Sequence, residues 1–164
     1  MEVTRLLPTD DSSWLLFPAF KDRNRRFIET FLPSTKPDAI IDDLVKRWIN
    51  TPLLTGYFLV RKDPITPIAH LTSWIADNYG DPYVFVYQAW CDEGHNLGKA
   101  AAEVVNQIDL WAKMLNAMMA ETKSKITKFE LSTWRDADVW ARYFEAMGRK
   151  SVKIRSVIEC ELKV

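Results

Sequence analysis

Between residues 91 and 97 the hydrophobic period of this chain changes. Before that point three β-rich runs, LTGYFLVRKD, IAHLTSWIA and YVFVYQAW, follow one another, separated by the proline-bearing DPITP and the turn cluster DNYGDP. Short runs joined by turn residues read as an antiparallel meander. After that point Leu97, Ala101, Val104, Ile108, Trp111, Leu115 and Met118 recur in alternating steps of four and three, with Val105, Ala112 and Met119 alongside. That spacing puts one apolar stripe on a helix of about seven turns, roughly 35 Å long, running to ETKSK. The switch restricts the chain to a sheet with a long helix following it. At the switch itself stands GHNLGKAAAEVV, a polar turn with two glycines opening into the helix.

The flanks extend the pattern. EVTRLL reads as a first strand, and TDDSS after Pro8 supplies capping chemistry for a helix from Ser12 or Ser13 to about Phe31. Pro18 is expected to interrupt that helix or shift its start, because proline lacks the backbone donor. PSTKPD is a turn, and Asp38 is expected to cap a second helix carrying Ile40, Ile41, Leu44, Val45 and Trp48 on one face. ITKFELSTW reads as a strand, RDADVWARYFEAMG as a short helix closed by Gly148, and SVKIRSVIECELKV as a final strand with a bulge or bend. The order is β-α-α-β-β-β-α-β-α-β. It predicts an α+β fold, one mixed and mostly antiparallel sheet flanked by about four helices, in a single domain spanning 1–164.

Several function classes are disfavoured. Twenty-two basic residues balance twenty-two acidic ones, so net charge predicts no nucleic-acid binding. No apolar run reaches the roughly 18 residues of a membrane span, and MEVTRLLPTDD has no signal-peptide pattern. Cys91 and Cys160 lack metal-ligand spacing, only His70 and His95 accompany them, and a reducing cytoplasm is the simplest setting.

The opening VTRLLPTDDSSWLL, the loop HNLGKA and the stretch ARYFEAMGRK, taken with the element order, resemble the GCN5-related N-acetyltransferase (GNAT) superfamily. The family's acyl-CoA loop reads Q/R-x-x-G-x-G/A after the fourth strand. His95, Gly98 and Ala100 fall at that spacing, with Asn96, Leu97 and Lys99 between them. ARYFEAMGRK is similar to the family's A-x-x-L-Y-E-K-L-G-F helix and turn. The resemblance implies acetyl-CoA as cosubstrate, its pyrophosphate at residues 95–100 and its pantetheine along the splayed end of the fourth strand at Ala89, Trp90 and Cys91. The physics of the loop fits: a phosphate needs convergent N–H donors and close backbone approach, which Gly98 and Ala100 permit. An empty helix-capping turn is the alternative reading, and for Trp90 a plain core role.

For chemistry, the family's proton-donating tyrosine aligns with Phe144, which has no hydroxyl, and an asparagine often found seven residues earlier aligns with Ala137. Tyr143 is adjacent, turned by about 100°, and is the candidate acid. His70 has a suitable unperturbed pKa and is the candidate base. Asp92 and Glu93 at the loop mouth read as solvated carboxylates, and KDRNRR, residues 21–26, as a solvated helix face. Besides an unrelated α+β binding module, two readings stay open. One is a divergent acyl-CoA-dependent N-acyltransferase acting on an amine of a protein or small molecule. The other is a non-catalytic protein of the same fold serving protein interaction or assembly, with a protein partner or a homodimer meeting an aromatic surface or the methionines Met114, Met118 and Met119.

Overall fold

The computed structural model describes all residues except 33–34, 96, 120, 122–123, 133–136 and 155–156, and gives the backbone alone for 97, 132, 137, 152–154 and 157–159. The elements are β1 (Glu2–Arg5), α1 (Asp11–Phe31), α2 (Pro37–Asn50), a 3-10 turn (Pro52–Leu54), β2 (Thr55–Arg61), β3 (Pro67–Asp77), β4 (Pro82–Cys91), α3 (Leu97–Met118), β5 (Lys128–Ser132), α4 (Ala137–Ala146), β6 (Ser151–Ile154) and β7 (Val157–Glu161). The seven strands form one sheet in the order β1-β2-β3-β4-β5-β7-β6. Every neighbouring pair is antiparallel except β4 and β5, which α3 joins as a parallel crossover.

The meander is as expected. Asn78 and Asp81 exchange backbone hydrogen bonds of 3.2 Å across Tyr79 and Gly80, both at positive φ. That is the two-residue turn whose twist matches paired strands. The helix after the period switch also forms, burying Ala100, Val104, Val105, Ile108, Trp111, Ala112 and Leu115. It stops at Met118, short of the expected length. Asn116 explains the stop: its amide donates to the Ile126 carbonyl and its carbonyl accepts from the Ile126 N–H, both at 2.8 Å, which turns the chain back towards β5.

Four expectations are corrected. Helix α1 begins at Asp11 and runs unbroken through Pro18. Pro18 sits on the exposed side, so the Trp14 carbonyl it leaves without an intrahelical donor faces the solvent side, while Phe17, Phe20, Phe27 and Ile28 hold the inner face. Helix α2 begins with Pro37 at its first position, which places Asp38 inside the first turn rather than at the cap. The last strand is two: β6 and β7 pair as a hairpin, with β7 completing the ladder to β5. Finally, 21–26 is not a uniformly solvated face, because Arg23 and Asn24 are buried.

Gly148 closes α4 as expected. It adopts φ +72°, donates its N–H to the Glu145 carbonyl at 2.8 Å, and lets Arg149 N–H reach the Phe144 carbonyl at 3.0 Å. The 6→1 and 5→2 pair is a Schellman stop. Helices α1 and α2 cover one sheet face around Trp48, Tyr57 and Leu59. Helix α3, with Phe144 from α4, covers the other around Phe58, Val86 and Phe129. A buried ion pair, Arg149 with Asp109 at 3.0 and 2.5 Å, ties α3 to the segment after α4. On the solvent side of α3, Leu110, Met114 and Met118 follow at one-turn spacing and are exposed. Trp14 is partly exposed and Trp48 fully buried; Trp134 lies outside the described residues. Among the described residues no helix is long and apolar enough to cross a membrane.

Candidate functional site

The site begins with a defect in β4. Opposite Thr72 and Ser73 of β3 the register steps from Gln88 to Val86, leaving Tyr87 as a bulged residue. A bulge bends its strand and resets which side chains share a face. Before it, Val84 and Val86 pack with the α3-side core. After it, Gln88 and Trp90 oppose Thr72 and His70, while Ala89 and Cys91 oppose Leu71 and Ala69. On its other edge β4 pairs with β5 at Val84, Phe85 and Val86 among the described residues. Beyond Val86, among the described residues, β4 keeps its ladder to β3 and has none to β5.

A cleft of about 130 Å³ occupies this parting, where a single water needs only about 10–15 Å³. Ala89, Cys91, Ala100, Ala101 and Val104 line it towards α3, Phe129, Leu131, Trp140 and Phe144 at its β5 and α4 side, and Phe27, Phe31, His70, Gln88 and Trp90 towards α1. No charged side chain lines it among the described residues.

The α1 side is a polar pocket within aromatic walls. The His70 ring lies edge-on to Phe20, Phe27 and Trp90, with centroids 6.0, 6.1 and 6.2 Å away. Its Nε2 is 3.4 Å from the Gln88 carbonyl oxygen Oε1. Burial, with the Arg23 charge second, pulls the His70 pKa down to about 3; the Gln88 contact and Asp92 oppose this. Such a ring is neutral at physiological pH, makes hydrogen bonds, and has little tendency to take up a proton. Behind it, the Thr72 hydroxyl donates to Asn24 Oδ1 at 2.8 Å.

Asp92 directly follows β4 and is not simply solvated. It accepts two hydrogen bonds of 3.0 Å from the Arg23 guanidinium, which also donates to the Pro67 carbonyl at 3.2 Å and lies 5.5 Å from the Trp90 ring centre. This clamp fixes the strand end where the loop to α3 departs. Gly94 takes φ +80° in that loop and His95 is half-buried. Gly98 stands in the first turn of α3, and its carbonyl accepts a hydrogen bond from the Tyr143 hydroxyl. Burial raises the Tyr143 pKa.

Of the residues singled out from sequence, His70, Ala89, Trp90, Cys91 and Ala100 line one cleft. His95, Gly98 and Lys99 belong to the turn and helix start beside it, Leu97 is described by backbone alone, and Asn96 lies outside the described residues. Tyr143 does not line the cleft. Phe144 does, packed against Phe129 and Trp140 at 5.4 and 5.8 Å between ring centres. Sequence reasoning missed Gln88, Arg23, Asn24 and Phe27. The spacing of Phe20, Asn24 and Phe27, four then three, was a usable signal that Asn24 shares the buried stripe.

No family model matches the sequence, and no curated protein matches it. Solved structures do match the fold. An acetyltransferase of the GNAT family from Staphylococcus aureus is 13% identical with a TM-score of 0.60, covering 99% of this chain and all of its own. An aminoglycoside 6'-acetyltransferase type Ii is 11% identical with a TM-score of 0.59, covering 98% of this chain and 95% of its own. Arabidopsis thaliana NAA60, in complex with a bisubstrate analogue, is 10% identical with a TM-score of 0.59, covering 98% and 94%. The chain has the fold of the GCN5-related N-acetyltransferases.

Proposed function

We propose that this protein is an acyl-CoA-dependent N-acyltransferase that uses the parting of β4 and β5 as its reaction site. The observation carrying this reading is the bulge at Tyr87 together with the apolar cleft beside the end of β4. It leaves the backbone of Ala89, Trp90 and Cys91 beside an apolar cleft that begins at the first turn of a long helix. The residues suit such a ligand in three ways. The end of β4 beside the cleft, at Ala89, Trp90 and Cys91, would offer N–H and carbonyl groups to an amide-bearing arm. Ala89, Cys91, Ala100 and Val104 supply apolar walls for that arm. The start of α3 presents N–H groups lacking intrahelical partners, with the helix dipole favouring an anion there. His95, Asn96, Leu97, Gly98, Lys99 and Ala100 would hold the pyrophosphate.

Bound there, acetyl-CoA would supply an acyl group activated as its thioester. The chain positions the acceptor from the α1 side and keeps charge out of the cleft. In this reading Tyr143 is the proton donor. Its hydroxyl is protonated at neutral pH and donates to the Gly98 carbonyl in the first turn of α3, beside the cleft that Phe144 lines. His70 contributes hydrogen bonding rather than base strength.

A second reading, a scaffold of this fold without catalysis, is favoured by Phe144, which fills the tyrosine position of the family with a buried ring. The exposed stripe of Leu110, Met114 and Met118 would then be the contact surface for a protein partner or a second copy. Thiol release from acetyl-CoA, measured across a panel of amine acceptors, separates the two. Acceptor-dependent release lost in Tyr143→Phe supports the transferase with Tyr143 as acid. Release unchanged in that variant removes Tyr143 from the chemistry, and none with any acceptor favours the scaffold.

A further inference from the structure

A carboxylate stands at the turn that is to receive an anion. Asp92 directly follows β4 and precedes Leu97, the first residue of α3, by five positions. Five residues of chain reach at most about 17 Å. That is shorter than the Debye length of about 30 Å at about 10 mM salt. An uncompensated Asp92 would therefore oppose a diphosphate at the start of α3.

The structure compensates it. Arg23 of α1 donates from Nη1 to Asp92 Oδ2 and from Nη2 to Asp92 Oδ1, each at 3.0 Å. The guanidinium is kept in place by the Pro67 carbonyl at 3.2 Å and by the Trp90 ring. The carboxylate is kept in place by its own backbone, where the Asp92 N–H donates to the Ile68 carbonyl at 2.9 Å. The arginine is the more buried partner, its side chain 7% exposed against 39%. Replacing such a pair by neutral side chains is often neutral for stability, so folding alone does not call for it here. Its effect on the turn is electrostatic: the positive charge is delivered to Asp92 from behind, and the carboxylate meets the mouth of the cleft already neutralised.

We infer that Arg23 is a positioning residue for the acyl-CoA, acting through Asp92: by cancelling that charge it lets the turn at 95–100 receive the diphosphate. This rests on the acyl-CoA reading above. A purely mechanical role, in which Arg23 only staples α1 to the end of β4, makes a different prediction. Under a staple, losing both partners is at least as harmful as losing one. Under charge cancellation, Arg23→Leu leaves a carboxylate at the turn, whereas Arg23→Leu/Asp92→Asn leaves none.

Calorimetric titration with acetyl-CoA of the wild type, Arg23→Leu and the double variant tests this, at about 10 mM and about 0.15 M salt, between which the Debye length falls from about 30 to about 8 Å. At the lower salt Arg23→Leu should bind about two- to tenfold more weakly than the wild type, the repulsion of one carboxylate from two phosphate charges across roughly 8–17 Å of a water-like medium. The deficit should shrink at the higher salt, and the double variant should match the wild type at both. Arg23→Gln, which keeps a donor for Asp92 but removes the charge, should show the same salt-dependent deficit and serves in place of Arg23→Leu if that variant does not fold. A deficit equal at both salts, no deficit at all, or a double variant as weak as the single one overturns the inference. A wild type that binds no acetyl-CoA at either salt overturns the acyl-CoA reading, and the inference with it.

Discussion

Asp92→Asn and Arg23→Leu break the same ion pair, but burial makes the two changes unequal. The Arg23 side chain is 7% exposed and that of Asp92 39%. Unit charges about 4 Å apart attract by roughly 4 kcal/mol at an effective dielectric near 20, and removing a guanidinium from water costs several kcal/mol. Asp92→Asn removes the attraction and leaves the cation buried, a situation that costs about 3–5 kcal/mol. Arg23→Leu removes the ion that was costly to bury. The remaining carboxylate, at the mouth of the cleft, rehydrates. What is lost is the bond to the Pro67 carbonyl and the contact with Trp90, together about 1–2 kcal/mol. The difference, on the order of 2 kcal/mol, corresponds to about 1 M in urea midpoint for a typical slope. Urea unfolding followed by circular dichroism at pH 7 reads it directly. Equal losses, or a larger loss in Arg23→Leu, would refute the asymmetry.

Three further outcomes are expected. Gly148→Ala meets no atom within 4 Å but must hold φ +72°, so it should cost about 1–2 kcal/mol and lower Tm by a few degrees; an unchanged Tm contradicts this. Gly56→Ala drives Cβ into the Trp111 ring at Cζ3 and to 2.7 Å from Ser73 Oγ; it should cost about 1–3 kcal/mol by overpacking and shift the tryptophan emission, and a silent substitution would refute the close approach. With the folded His70 pKa near 3 against 6.5, the unfolded chain gains a proton first as pH falls. Stability should therefore drop by about 1.4 kcal/mol per pH unit through that window. His70→Leu should flatten that slope, and an equal slope in the variant would count against a buried neutral ring.

What the sequence disclosed depended on how local the cause was. The α3 stripe, the Asn78–Asp81 turn and the Gly148 stop are set within a few residues, and all were legible. Pro18 misled because its effect depends on which side of α1 meets solvent, a tertiary matter. The β6–β7 division and the Tyr87 bulge are pairing events between distant segments, and strand runs do not announce their partners. The bulge mattered most for the site, since it turns Gln88 inward beside His70. Arg23 looked like one of several charges in KDRNRR. It is buried because Asp92, sixty-nine residues away, receives it. The glycine spacing of the loop marked the turn that opens α3, while Phe144 against Tyr143 showed that the expected chemistry could not be transferred letter for letter.

The central claim is that the start of α3 and the end of β4 beside the cleft hold an acyl-CoA. Calorimetric titration of the wild-type protein and of Gly98→Glu with acetyl-CoA tests it most directly. The account predicts saturable binding at micromolar concentrations, lost when a carboxylate is placed in the first turn of α3. No heat of binding at millimolar acetyl-CoA, or equal affinity in Gly98→Glu, would contradict it.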